Sequence, residues 1–409
     1  MGKQELWLFT MRFPFGHGEA FLENELPILA QGFRRVRLFP LLNSGEARPL
    51  PAGVEVERLF TLEEAYRPLA LWRMLLDLPR VLRLWKQAKA SAPSPAIFKK
   101  HKGEFRSQLR QALERERLLR LRMAKQYDPD TVRLYSYWTS DWATVLGLWK
   151  LRDKRVHFVS RMMGFDMFDH RAPDAWQRFQ AFHVEQVEHV YTIAKTGLQH
   201  MRERFPAAAD KFSISYLATT DNGPGPWERA SELRIASCSN FVELKRVALI
   251  AESLHHVTGP VRWTHFGDGP ERAGVEAVVK TLPPNIRVEL MGSRPNAEVI
   301  AWYKANPVDV FVHASYTEGG APVALQEAAS FGIPLVAADA GGVREVVTGE
   351  SGVLLPNALT PKMLGNTLND FRNSLWYTAE ARGGVRGFWA SMFNATEVYG
   401  GLLKELLNP

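Results

Sequence analysis

The chain has 409 residues, 46% hydrophobic and 23% charged. That composition is globular, and the length exceeds one ordinary core, so two domains of roughly 150–200 residues are expected. No run of about 18 apolar residues occurs, which argues against a membrane-spanning helix. The single cysteine, Cys238, excludes an internal disulfide and a Cys-based zinc cluster.

The start, Met1 to Thr10, lacks the basic, apolar and small-residue order of a signal peptide. Leu6 stands where a myristoylation signal needs Ser or Thr. The expected location is cytoplasmic, with peripheral attachment at the inner face of a membrane where an anionic surface is present. The net charge of +7 is uneven. Residues 71–126 carry 15 Lys and Arg against four acids, Asp77, Glu104, Glu114 and Glu116. A local excess of that size points to an anionic partner, lipid or nucleic acid.

In chain order, the first half holds short strand-like runs: ELWLFTMRF, RRVRLF, VEVERLF, TVRLYSYW, RVHFVS, HVYTIA and FSISYL. The second half holds LRIASCS, VRWTHFG, IRVELMG, VDVFVHAS, IPLVAAD and GVLLP. They are rich in β-branched and aromatic residues, bounded by Gly, Pro or Asp, and separated by helical patterns. Such alternation predicts parallel, doubly wound α/β sheets. Residues 219–230, TTDNGPGPWERA, continue neither element and read as a linker. The expected domains are 1–218, a second domain over 231–378, and C-terminal helices over 379–409.

Ligands of open α/β sheets bind beyond the carboxyl ends of the strands, so the loops there are searched first. After VDVFVHAS comes EGGAPVALQEAASFGIP, residues 318–334. PVALQEAASFG reads as a helix closed by Gly332 and Pro334, with Glu327 some two turns in. The N–H groups of Gly319, Gly320 and Ala321 are placed to meet an anion such as a diphosphate. Glu327 could accept both hydroxyls of a ribose. Glu318 as a capping acid and Glu327 as a solvated one is the plainer alternative.

This stretch, with ADAGGVREVVTGESGVLLP after it, resembles the nucleotide-sugar site of family-4 retaining glycosyltransferases. The resemblance runs through Ser315, Glu318-Gly319, Glu327-Ala328, Gly332-Ile333-Pro334 and Gly341-Gly342 with Glu345, and upstream through ELKRVALIAESL and FGDGPER. In the first half FPFGHGEAFLENELPIL, YSYW, SRMMGFDMF and YTIAKTGLQHMRERFP fall in the order of one subgroup, whose N-terminal loop is Phe-Pro-Phe-Gly-x-Gly-Glu. FWASMFNATEVYGGLLKEL resembles its terminal helix.

The resemblance implies a GT-B fold: two Rossmann-like doubly wound domains facing a cleft, the acceptor-side domain first, with a C-terminal helix crossing back to it. It implies retaining transfer of a hexose-type sugar from a nucleotide diphosphate donor to a glycan or lipid-linked acceptor, in surface polysaccharide or glycolipid synthesis. No cofactor or metal is expected. Glu318 would touch the donor hexose, Glu327 the ribose, and Lys245 the diphosphate, with Arg246 beside it in a supporting role. Gly16 and Gly18 would let the backbone approach the donor phosphates; a plain turn is the alternative. His17 reads as a loop residue, and Glu19 as a capping acid for the following helix.

Three positions depart from the family pattern. Eight residues separate Glu318 from Glu327 where seven are usual. Asn240 takes the place of an Arg that would clamp the diphosphate, and Asn supplies no charge. Met163 stands where a donor-side histidine would be, without a strong hydrogen-bond donor. These departures motivate a rival reading, a binding or scaffold relative without catalysis; a sugar epimerase or phosphorylase on the same fold is the other. Asp128-Pro129-Asp130 matches a metal-binding Asp-x-Asp only formally and reads as a turn.

Within the basic stretch, Leu75, Leu78, Leu82 and Trp85 fall at helical spacing with cations on other faces, and Pro79 is expected to start or kink that helix. Phe105, Leu109 and Leu113 repeat the theme. An anionic membrane is one partner for these segments, and ordinary solvated helices are the alternative. Nucleic acid is not expected, because no aromatic stacking platform accompanies the charge.

Overall fold

The computed structural model describes residues 4–16 and 18–408. Readings made on Met1, Gly2, Lys3 and His17 lie outside the described residues. All the apolar runs appear as strands. They are β1 (Glu5–Thr10), β2 (Arg35–Pro40), β3 (Val54–Val56), β4 (Val132–Ser136), β5 (Phe158–Met162), β6 (His189–Thr192) and β7 (Phe212–Ile214), then β8 (Leu233–Cys238), β9 (Val261–Phe266), β10 (Ile286–Leu290), β11 (Val310–His313), β12 (Leu335–Ala338) and β13 (Gly352–Leu355).

Two sheets result, ordered β3-β2-β1-β4-β5-β6-β7 and β10-β9-β8-β11-β12-β13. Every pairing between these strands is parallel. Central strands such as β1 and β4 are buried almost throughout, because helices cover both faces of a parallel sheet and leave no side for polar residues. The edge strand β3 is only three residues long. Glu55 within it and Glu57 just after it pair with Arg35 and Arg37 of β2, so charge replaces apolar burial at this edge.

The chain forms two compact units. One runs to Ser215 and includes the segment from Tyr399 onward; the other is Tyr216–Val398. These limits differ from the expected 218 and 231, and the helix Ala379–Phe393 groups with the second unit rather than the first. The reason lies in specific bonds. Gly225 N–H donates to the Phe331 carbonyl at 2.9 Å, and Trp227 Nε1–H to Asp309 at 2.7 Å, pinning the expected linker. Arg382 donates to the Val308 carbonyl at 2.8 Å and Trp389 to Thr219 at 2.7 Å, holding the helix in place.

The basic stretch also differs in detail. Leu71–Asp77 is a 3₁₀ segment and Leu78–Ser91 a helix with Pro79 in its first turn, where its missing N–H costs nothing. The face buried in that helix is Leu84 and Ala88, not Leu78 and Leu82, which are exposed together with Leu75. Periodicity identifies residues that share a face; neighbouring elements decide which face they cover. In the helix Pro95–Met123 the expected face is the buried one: Phe105, Leu109 and Leu113 all reach the core. No helix among the described residues is long and apolar enough to cross a membrane.

Candidate functional site

The six-stranded sheet repeats the order of the first six strands of the seven-stranded one, with the order reversing between β1 and β4 and again between β8 and β11. At such a reversal neighbouring loops run to opposite sides and leave a crevice beyond the strand ends. In the second unit the loops there are Ser239–Lys245, after β8, and Ala314–Pro322, after β11. They are tied by one backbone bond, Tyr316 N–H to the Leu244 carbonyl at 2.7 Å.

Two predicted residues meet here. Lys245 Nζ lies 2.5 Å from Glu318 Oε1. His313, the last residue of β11, brings Nε2 to 2.9 Å from the same oxygen. Both bonds fall on Oε1, and Oε2 has no protein partner among the described residues. Burial alone would raise the Glu318 carboxyl, but the His313 hydrogen bond and the Lys245 charge outweigh it and hold it down at about 2. Glu318 is therefore an anion over the whole working pH range. His313 carried no signal in the sequence beyond ending an otherwise apolar strand.

The helix starts only at Val323 with Pro322 ahead of it, so residues 318–322 all belong to the loop. Glu327 therefore sits little more than one turn in, not two. Gly341 and Gly342 explain how the loop is held. A Cβ on Gly341 would stand 2.1 Å from the Glu318 carbonyl oxygen, and one on Gly342 2.3 Å from Gly320. Only glycine lets the two loops lie this close. The N–H groups of Gly319, Gly320 and Ala321 make no hydrogen bond among the described residues, so all three remain available as donors.

Glu327 is buried, and its partner is Asn296, whose Nδ2–H donates to Oε1 at 2.7 Å. Burial pushes the Glu327 carboxyl up to about 7, against the opposing Asn296 bond. Asn296, like His313, was missed by sequence reasoning. Arg246 is spent elsewhere: its guanidinium donates to the carbonyls of Ala314 at 2.6 Å and Asn357 at 2.9 Å. These bonds fix the loop after β11. Asn240 is exposed and adds no charge. Glu345 accepts from the Tyr216 hydroxyl at 2.7 Å.

The equivalent place in the first unit is built differently. Glu19 accepts from the N–H groups of Met11, Arg12 and Phe13 at 2.7–2.8 Å, and from Trp138 Nε1–H at 2.7 Å. It does not cap the helix Leu22–Gly32, whose N-cap is Phe21 without a side-chain bond. The carboxylate folds back because four N–H donors outbid one helix end. The carbonyls of Gly16 and Gly18 accept from Arg48, which holds this loop from outside. Met163 is buried and contributes its N–H to Asp166 Oδ1 at 2.6 Å, while Thr139 N–H reaches Oδ2 at 2.9 Å. Burial pushes the Asp166 carboxyl up to about 7 against these two bonds. Asp166 lines a cavity of about 220 Å³ together with Thr139, Asp141, Phe165, Trp176 and Gln180. Gln180 Oε1 is buried without a partner there.

Asp128 accepts from Asp130 N–H and the Thr131 hydroxyl, both at 3.0 Å, as a turn requires. Among the described residues no group of three or more His, Cys, Asp or Glu is placed to hold a metal ion.

Residues 232–371, which contain all of the Lys245–Glu318 site, match the family model described as glycosyl transferases group 1. A GDP-mannose-dependent alpha-mannosyltransferase of Mycobacterium tuberculosis is 36% identical over 100 residues, 24% of the length of each protein. Among solved structures, Anabaena HepE in complex with UDP is 16% identical, with 98% of this chain and 99% of that chain covered and a TM-score of 0.64. The lipopolysaccharide outer core galactosyltransferase WaaB is 14% identical with the same coverage and a TM-score of 0.66. The sucrose-phosphate synthase of Thermosynechococcus elongatus is 15% identical, with 99% of both chains covered and a TM-score of 0.65. The chain thus has the two-sheet α/β fold of solved GT-B glycosyltransferases, and its second unit carries a glycosyltransferase match over the crevice that holds Lys245 and Glu318.

Proposed function

We propose that the chain is a retaining glycosyltransferase that moves a hexose-type sugar from a nucleoside diphosphate donor to a glycan or lipid-linked acceptor. The reading rests above all on one observation. Lys245 and Glu318 come from the two loops at the reversal of strand order, touch each other, and lie inside the family-model match.

The chemistry follows from the groups present. Lys245 gives one N–H to Glu318 and keeps the others for diphosphate oxygens. The N–H groups of Gly319, Gly320 and Ala321 add uncharged donors on the same anion. As the bond from the anomeric carbon to the phosphate oxygen breaks, negative charge grows on the diphosphate, where these fixed donors act without reorganising. Glu318, already ionised, accepts from hexose hydroxyls through Oε2. Glu327 and Asn296 take the ribose. A new bond to the acceptor oxygen forms on the face the phosphate leaves, and the acceptor proton passes to the departing phosphate, which gives retention. In this reading Lys245 supplies the cation that a metal supplies elsewhere, so the reaction is metal-independent.

The cavity beside Asp166 and Trp176 in the first unit is our candidate for the acceptor. An aromatic wall next to unpaired polar atoms suits a sugar ring with its hydroxyls. Surface polysaccharide or glycolipid synthesis is the process that such an acceptor implies, at the cytoplasmic face of a membrane.

A thermal-shift screen of UDP, GDP, ADP, CMP and dTDP against the wild type and Glu327→Ala tests the reading. A nucleotide at 100 times its dissociation constant stabilises by about 2.7 kcal/mol. One nucleotide that shifts the wild type and not the variant supports the donor site and names its base. No shift with any of them would overturn the transferase reading in favour of a scaffold.

A further inference from the structure

The segment from Leu71 to Leu82 presents leucines and a tryptophan outward. Leu71, Trp72, Leu75 and Leu76 are 62%, 63%, 70% and 75% exposed, and Leu78 and Leu82 continue the ridge. Single exposed leucines need no explanation; six large apolar side chains within twelve residues do. Along the helix Leu78–Ser91, Leu78, Leu82, Lys86 and Lys89 recur at four, four and three residues and so share one face. The apolar ridge therefore runs directly into a pair of exposed lysines.

Exposed cations outnumber exposed acids around the ridge: Glu104, the one exposed acid of residues 71–126, pairs with Arg178, and Glu185 beside the helix pairs with Arg83. Of the four acids in residues 71–126, Asp77, Glu114 and Glu116 are buried, each paired with arginines. Lys86, Lys89, Lys99, Lys102 and Arg106 are exposed and have no ion pair among the described residues. Arg73 lies over the Trp72 ring at 4.9 Å. That pair offers an apolar body and a charged tip, which suits the level of lipid headgroups.

We propose that this ridge docks the protein on an anionic lipid bilayer, Leu71, Trp72, Leu75 and Leu76 entering the acyl boundary and Lys86 and Lys89 meeting headgroup phosphates. A second copy of the chain fits the ridge poorly, since a two-fold contact would set the same cations against each other. An anionic bilayer supplies both the apolar depth and the opposite charge. No residue of the Lys245–Glu318 site takes part, so the proposal stands apart from the sugar-transfer reading.

Vesicle co-sedimentation of the full chain tests it, with phosphatidylcholine vesicles compared with the same vesicles containing phosphatidylglycerol. The wild type is expected on the anionic vesicles only, with binding reduced by added salt. The double variant Leu75→Ser with Leu76→Ser, and separately Lys86→Gln with Lys89→Gln, should each weaken binding by about tenfold or more. All four positions are exposed, so unchanged far-UV circular dichroism and melting confirm that the variants fold. Equal binding by wild type and both variants would overturn the proposal. So would absence of binding to anionic vesicles, and a concentration-dependent dimer lost in the leucine variant would then assign the ridge to a second copy.

Discussion

The two places where strand order reverses make an internal control. Each has a glutamate on the loop beyond a central strand, Glu19 after β1 and Glu318 after β11. Glu19 receives four N–H donors from its own unit and has nothing left to give. Glu318 receives two bonds on one oxygen, both from side chains that can change partners. Glu19 follows the strand that corresponds to β8, and Glu318 the strand that corresponds to β4, so the two flank their reversals from opposite sides; one is a structural pin and the other a poised anion. What separates them is that both oxygens of Glu19 are filled, largely by fixed backbone donors, whereas both bonds to Glu318 fall on one oxygen.

The sharpest way to break this contrast is to remove a partner on each side. Lys245→Ala should lower kcat/KM for transfer or for donor hydrolysis by about 10²–10³-fold, the loss typical of one donor on a developing oxyanion. Its melting temperature should stay near that of the wild type. Glu19→Ala should do the reverse in kind, costing about 3 kcal/mol in denaturant unfolding because several buried N–H groups lose a charged acceptor.

Glu327 sharpens the comparison through pH. Its folded carboxyl holds a proton up to about 7, whereas an unfolded glutamate releases it near 4.5. Between those values the folded state binds more protons, so its stability contribution falls as pH rises and levels off above about 7. Glu327→Gln, which does not titrate, should therefore be more stable than the wild type by about 3 kcal/mol at pH 8 and nearly equal at pH 4.5. Ribose hydroxyls favour the ionised carboxylate, so nucleotide affinity of the wild type should rise from pH 6 to pH 8 and become flat in the variant, as calorimetric titration would show. The smallest effect belongs to Arg48, partly exposed on the first-unit loop. Arg48→Ala should cost under about 1 kcal/mol by thermal unfolding, and a larger loss would mean that the Gly16–Gly18 loop is more than a surface turn.

The strands were legible because a parallel sheet covered on both faces demands uninterrupted apolar runs, and VFVH or LVAA cannot be read otherwise. Lys245, Glu318 and Glu327 were singled out through the family resemblance of the motifs around them, and the structure brings Lys245 and Glu318 together. His313 and Asn296 were not, since each is a lone polar residue whose meaning comes from a contact across the sheet. The role of Glu19 was hidden for a different reason: three of its four partners are backbone N–H groups, which leave no mark in side-chain order. Arg246 was read as a supporting neighbour of Lys245, and what the sequence did not show is its left-handed backbone, at φ 47°, which turns it toward the carbonyls of Ala314 and Asn357.

The first unit is not continuous in sequence. Its last portion begins at Tyr399, and Tyr399 and Leu406 are fully buried, with Leu403 filling the space that a side chain at Gly32 would need. A ribosome delivers these residues only after the entire second unit has been made. The N-terminal sheet must therefore wait, with part of its apolar surface unsealed, while the unit encoded after it completes its own core first. Vectorial synthesis and folding order run in opposite directions in this chain, and a nascent protein stalled before residue 399 should be the species that chaperones hold.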